Sequence, residues 1–265
     1  MKKTLTQGVL TLGLFFALWF ALMQLDWVSI FQVEKLTDKT EEKLGELILE
    51  SINRSEVEVK DAFVINSVDS IVERICLANA IDQSKIKVHI VESSEVNAFA
   101  LPDAHLVIFS ALMSNSHNPE ELAGVIAHEL AHIELNHVMQ KLVKEIGLSV
   151  LISITTGNGG GDMAKETLKV LSSSAFDRNF EREADMKAVD YLNEAEIDPE
   201  PFANFLYKLS HGEHELMQYL TWISTHPESK ERAKAIVEYS QNSSIEYKEV
   251  LDSNTWQLLK RKLSD

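Results

Sequence analysis

Residues 124–137 read GVIAHELAHIELNH, and the reading of this stretch decides the fold. His128 and His132 are four positions apart, with Glu129 beside the first. On an α-helix a four-residue step turns about 40° around the axis, so both imidazoles project from one face, one turn apart. Glu129 lies to the side of the pair. Zinc accepts imidazole ligands, and three protein ligands leave a fourth position for water. A carboxylate beside that water can take its proton. This is the physical content of the H-E-x-x-H pattern. The bland alternative is a pair of satisfied helix histidines with a surface glutamate. The apolar neighbours Val125, Ile126 and Leu130 place the pattern in mid-helix.

The start of that helix is marked. In "SHNPEEL", Asn118 serves as N-cap, Pro119 occupies the first helical position and Glu121 closes a capping box. From there a helix can run past His137. A third ligand is required. A histidine six residues beyond the second is excluded, because position 138 is Val and the accompanying glycine position is Leu135. His137 is five residues beyond His132, about 140° around a helix, and is expected to face away from the metal and bond elsewhere. "SSSAFDRNFEREADMKAVDYL" offers a carboxylate instead. Glu181 and Asp185 share a helix face and Glu183 points nearly opposite. Glu181 is the candidate ligand. Asp185 is the residue that would accept an N–H from a ligand histidine and so fix its orientation. E-x-x-x-D also describes many ordinary charged helix faces. Its weight comes from its place on a separate helix downstream of HELAH, where a gluzincin needs it.

Around these helices the pattern is mixed. Residues 34–52 have helical spacing with many charges and read as a solvated amphipathic helix. Residues 62–81 read as a second helix. "KIKVHIVES" alternates like a strand, and "EVNAFALPDAHLVIFSALM" reads as two short strands, at about 96–101 and 105–109, around a turn. "GLSVLISITTG" is apolar but too short to span a bilayer. "GNGGGD" at 157–162 lacks a following Gly-Lys-Ser/Thr and reads as a loop. Pro199 and Pro201 break the helical pattern before "FANFLYKL". "HGEHEL" at 211–216 reads as a solvated turn. The expected fold class is α+β: a mostly helical, gluzincin-type zincin domain with a small β-sheet, preceded by one transmembrane helix.

The 265 residues carry a net charge of −16. That balance argues against nucleic acid, whose phosphates require Lys and Arg. The single cysteine, Cys76, excludes an internal disulfide and a cysteine-based zinc site. It lies in an apolar run and reads as a small buried hydrophobe. Residues 4–25 carry no charge and follow two lysines. Their length suits a membrane-spanning helix of about 20 residues. A cleaved signal peptide is the competing reading, but its apolar region is shorter and ends in small-x-small. Lys2 and Lys3 would stay cytoplasmic, which puts the rest of the chain across the membrane. The division expected is an anchor or uncleaved signal at 1–27, a juxtamembrane amphipathic segment at 28–59, a mostly helical domain with a small sheet that carries the H-E-x-x-H stretch, at 60–240, and a helical tail at 241–265.

Four stretches occur in this order: "NAFALPDAHLVIFSAL", "HELAHIELNH", "FDRNFEREAD" and "STHPESKERAKAI". Together the chain resembles the membrane-associated zinc metallopeptidases of peptidase family M48, which includes CAAX prenyl proteases, HtpX and BepA-like proteases. The resemblance covers roughly residues 60–240. It implies one Zn2+ per chain held by His128, His132 and Glu181, with Glu129 as general base. It implies that Asn97, Ala98 and Phe99 form a sheet edge facing substrate. It implies that His226 sits near the metal, polarising a carbonyl or acting as an inhibitory fourth ligand, with Arg232 in the same motif. Read without the resemblance, His226 before Pro227 is a loop histidine, and Arg232 is a helix-face charge or a partner of Asp185 or Glu181. There are departures. Asp103-Ala104 stands where Gly-Gly or a near equivalent is usual, His105 where an aromatic or apolar residue is commoner, and Asp177 where serine is usual. A single-anchor, periplasm-facing endopeptidase acting on polypeptides is the expectation, with misfolded or unassembled envelope proteins as substrates. A zinc-binding chaperone with latent proteolysis is the alternative.

Overall fold

The computed structural model describes Gln7 and residues 12–16, 38–156, 160–210, 220–227, 229–240 and 245–263. Most of the expected anchor and the 211–216 turn lie outside these residues. No helix among the described residues is long and apolar enough to cross a membrane. The described fold is mostly helical around one small sheet.

Helix α1 spans Asp38–Asn53, strand β1 Val57–Glu58, α2 Ala62–Ala78 and β2 Lys87–Glu92. Strands β3, Ala98–Leu101, and β4, His105–Phe109, form a hairpin. Short α3, Ser110–Asn115, leads to α4, Pro119–Glu134, and α5, His137–Glu145. Then follow α6, Leu148–Thr155, α7, Gly160–Ser173, and α8, Arg178–Glu194. The remaining helices are α9, Glu200–Ser210, α10, Leu220–Thr225, α11, Ser229–Ser240, and α12, Ser253–Lys262.

The sheet order is β1-β2-β4-β3. β2 and β4 are parallel, with His89 opposite Val107, whereas β1 and β3 are antiparallel to their neighbours. β3 is therefore an edge strand, and α4 lies against it. The hairpin turn explains one departure. Asp103 and Ala104 have φ of 62° and 54°. Leu101 pairs with His105 across a three-residue turn, and two of its positions take positive φ, which glycine adopts freely. Asp103 offsets part of that strain by accepting a hydrogen bond from Lys87 Nζ.

Two apolar cores flank the sheet. The larger gathers α2, α4, α8, α9 and α12, through residues such as Val68, Ile75, Ile126, Leu192 and Leu259. Each fully buried aliphatic side chain there contributes about 1.5–3 kcal/mol. The smaller gathers α1, α5, α6 and α7 on Val91, Phe99, Leu101 and Phe109. This corrects the solvated reading of α1. Leu44, Ile48 and Ile52, four residues apart, are all buried. Gly45 permits the approach, since a Cβ there would lie 2.5 Å from the Pro102 carbonyl oxygen.

The 118–137 region departs from a continuous helix. Asn118 accepts from the Glu121 N–H at 2.8 Å, as expected of an N-cap. Glu121 reaches one residue further back, accepting from His117 N–H rather than from the cap itself. The helix ends at Glu134. Asn136 is left-handed, with φ 56° and ψ 29°, and α5 starts afresh at His137. Asn tolerates that conformation better than most residues, which is why the break falls there.

Candidate metal centre

α4 delivers His128, Glu129 and His132 into the interior, where each is fully buried. The helix can be this enclosed because Gly124 lets Phe202 of α9 lie directly on it. A Cβ at 124 would be 2.3 Å from Phe202 Cβ. The Phe202 ring then packs 5.8 Å from that of His128.

α8 packs extensively against α4. Its N-cap is Asp177, whose carboxylate accepts from the Asn179 N–H at 3.0 Å. Serine and aspartate both cap well, so this departure from the family pattern preserves the local physics. One turn into α8, Glu181 faces the histidines: Oε1 is 3.3 Å from His132 Nε2 and Oε2 is 3.7 Å from His128 Nε2. Asp185, one turn on, places Oδ1 3.0 Å from His128 Nδ1. Arg232 of α11 grips Asp185 bidentately and also contacts Glu181.

His226 follows α10 and closes the group. Its Nδ1 is 3.0 Å from Glu181 Oε1 and 3.3 Å from His128 Nε2. The donor atoms of His128, His132, Glu181 and His226 all lie within 4.8 Å of one another. The imidazole of His226 is held between Trp222, at 4.1 Å and 23°, and Phe176, at 5.6 Å and 23°. Phe176 also lies 4.3 Å from the His132 ring, and its N–H donates to the Thr225 carbonyl at 3.0 Å. Behind it, buried Lys141 of α5 places Nζ 3.9 Å over the ring. The same ammonium donates to the carbonyl of Ser174 at 2.6 Å. Lys141, Phe176 and Trp222 carried no distinctive sequence signal, because a lone lysine or aromatic on a helix or loop is ordinary.

The donor set fits a divalent cation. Zinc–nitrogen bonds of about 2.0–2.1 Å in a tetrahedron put neighbouring donors about 3.3 Å apart. His128 Nε2 and His132 Nε2 are 3.0 Å apart, and the other close pairs fall between 3.0 and 3.7 Å. Arg232 contacts two carboxylates, Glu181 and Asp185, with the third, Glu129, close by, so the buried group is short of positive charge when all three ionise. Burial pushes His128 down to about 3 and His226 down to about 4, so both rings are neutral, the form that binds metal. Burial opposes ionisation of Glu181 and Asp185, but Arg232 outweighs it and holds both below the usual carboxylate range. Glu129 is the opposite case. Burial and the charge of Glu181 raise it well above that range. Its Oε2 accepts from the Ala100 N–H at 2.9 Å, whereas Oε1 has no hydrogen bond and lies 3.5 Å from His226 Nε2. A cation between the histidines would favour its ionised form.

Asn97, Ala98 and Phe99 lie on or beside β3 and are buried. Phe99 turns into the smaller core, edge-on to Phe109 at 5.6 Å. The main chain of β3, through Ala100, is what touches the site. His137 does not face away as ideal helix geometry predicts. The left-handed Asn136 returns it to the back of His132, with the two Nδ1 atoms 3.1 Å apart.

The family model described as "Peptidase family M48" matches residues 65–240. The chain is 25% identical over 196 residues to the mitochondrial metalloendopeptidase OMA1 of Schizosaccharomyces pombe, covering 72% of this chain and 58% of that protein. It is 24% identical over 227 residues to the β-barrel assembly-enhancing protease of Yersinia pestis, covering 77% and 46%. It is 28% identical over 166 residues to the metalloprotease LoiP of Escherichia coli, covering 60% and 65%. The chain thus spans about half to two thirds of the length of these relatives.

Proposed function

The chain belongs to peptidase family M48, and from that premise we propose that it is a zinc-dependent endopeptidase in which His128, His132 and Glu181 hold one Zn2+. The observation that carries this reading is the convergence of those three residues and His226 on one buried point beside Glu129. Bound zinc would supply a water acidified to a pKa of about 7 and an electrophile for the peptide carbonyl.

Glu129 takes the proton of the attacking water on Oε1, the oxygen left without a hydrogen bond. The Ala100 N–H holds Oε2 and so fixes the carboxylate plane. Glu129 then delivers the proton to the leaving amine. Asp185 orients His128, and Arg232 orients Asp185 and Glu181. An extended peptide joining β3 gains main-chain hydrogen bonds, with Asn97, Ala98 and Phe99 contributing through backbone.

His226 takes the position that a water needs, so the enclosed conformation is a resting one. Substrate entry requires His226 to withdraw from between Trp222 and Phe176. The same enclosure supports the second reading, a zinc-binding assembly factor with latent proteolysis. Residues 1–27 anchor the chain in the inner membrane, residues 28–59 lead away from it, and the catalytic domain, 60–240, is extracytoplasmic, followed by a helical tail. Unassembled or misfolded envelope proteins are the proposed substrates, in line with the name of the Yersinia relative.

The deciding experiment measures zinc content and cleavage of a casein-like substrate by the purified chain. Glu129→Gln is expected to keep zinc and lose cleavage. Retained cleavage would remove Glu129 as base, and absence of stoichiometric zinc in the wild type would remove the metal assignment.

A further inference from the structure

The two candidate zinc histidines of α4 are backed differently. His128 has a carboxylate behind it, Asp185. His132 has a second imidazole. His137 Nδ1 lies 3.1 Å from His132 Nδ1, and both rings are buried. On its far side His137 Nε2 lies 3.3 Å from Glu183 Oε2. The His137 ring stacks on Phe180 at 4.4 Å and 11°, which fixes its plane. The left-handed Asn136 starts α5 at this residue and so aims it.

From this arrangement we propose that His137 is a positioning residue, which sets the tautomer and ring plane of His132 through a two-imidazole relay ending at Glu183. The proposal builds on the zinc reading of the site. Two facing ring nitrogens share one proton. His132 must leave Nε2 bare to bind metal, so its Nδ1–H donates to His137. A neutral His137 that accepts at Nδ1 carries its proton on Nε2, and that N–H donates to Glu183. Each ring then has one permitted tautomer.

The choice of imidazole has an electrostatic reason. Glu129, Glu181 and Asp185 already place three carboxylates around the site, matched in the zinc reading by Arg232 and a dication. A further buried carboxylate behind His132 would be unpaired and costly to desolvate. A neutral imidazole accepts the N–H without adding charge. It passes the polarity to Glu183, whose side chain is 64% exposed and faces water.

The test measures the zinc affinity of the full chain by chelator competition. His137→Phe preserves bulk and stacking on Phe180 but removes the acceptor. His137→Asn keeps an acceptor near the Nδ1 position. The relay predicts a loss of about 10–100-fold for His137→Phe and recovery to within a few-fold for His137→Asn. Equal affinity of His137→Phe and wild type, or equal losses in both variants, would overturn it. In 15N-histidine spectra of the zinc-loaded wild type, which need no variant to fold, His137 is expected as the Nε2–H tautomer. Protonation at Nδ1 would overturn the relay. Absence of zinc binding by wild type would overturn the parent reading as well, whereas the variant ratio and the tautomer bear on the relay alone.

Discussion

Arg232 grips Asp185 through two parallel hydrogen bonds, Nε to Oδ2 and Nη2 to Oδ1, both 2.7 Å, between helices that meet only in the folded chain. All the groups involved are buried, so the pair organises the site and is expensive to break. Arg232→Met leaves Asp185 with an uncompensated buried charge. The expected destabilisation is about 3–5 kcal/mol in urea unfolding. The double variant Arg232→Met with Asp185→Leu is expected to recover part of that loss. Additive losses would show that the pairing itself is unimportant.

His226 lies among the candidate ligands, held by two aromatic rings, and in the proposed reading it blocks the position of the attacking water. His226→Ala is expected to raise the cleavage rate of an unfolded substrate several-fold while zinc remains bound. A rate that falls with zinc retained would assign His226 to the chemistry instead of to latency. No cleavage by either form would favour the assembly-factor reading.

Ala104 occupies a left-handed position at φ 54° in the β3–β4 turn. A non-glycine residue there costs about 1–2 kcal/mol, and glycine brings its own unfolded-state entropy cost of about 0.4–1 kcal/mol. Ala104→Gly is therefore expected to stabilise the chain by about 0.5–1 kcal/mol, read as a shift of the urea midpoint at constant slope. A lower midpoint would show that the turn is not strained.

Lys141 is lowered to about 8 by burial, with Glu181 and Glu129 opposing in part. Its ordinary value is about 10.4. Between those values the unfolded chain binds a proton that the folded chain does not. The lysine's contribution to stability therefore improves as pH rises through this window. Relative to Lys141→Met, the wild type is expected to gain about 1 kcal/mol per pH unit between pH 8 and 10. A difference independent of pH would place the Lys141 pKa near its ordinary value.

Local chemistry in the sequence carried the spacing of His128, Glu129 and His132, the N-cap at Asn118, the hairpin at 98–109 and the Glu181/Asp185 face. Each depends on periodicity or on a cap within a few residues, and such features are written where they act. The second core was less legible. The charges of α1 hid that Leu44, Ile48 and Ile52 have a partner surface on the sheet.

The sequence by itself determined which helices carry the ligand types and which of their faces is apolar. Tertiary structure alone decided which donors meet. Ideal helix geometry sent His137 away from the metal, and one left-handed residue at Asn136 brought it back. Arg232 had two possible acidic partners on α8, and the packing of α11 gave it both. Lys141, Phe176 and Trp222 became parts of the site only through contacts from separate elements. Angles accumulated over long chain separations place such groups, and no local pattern records them.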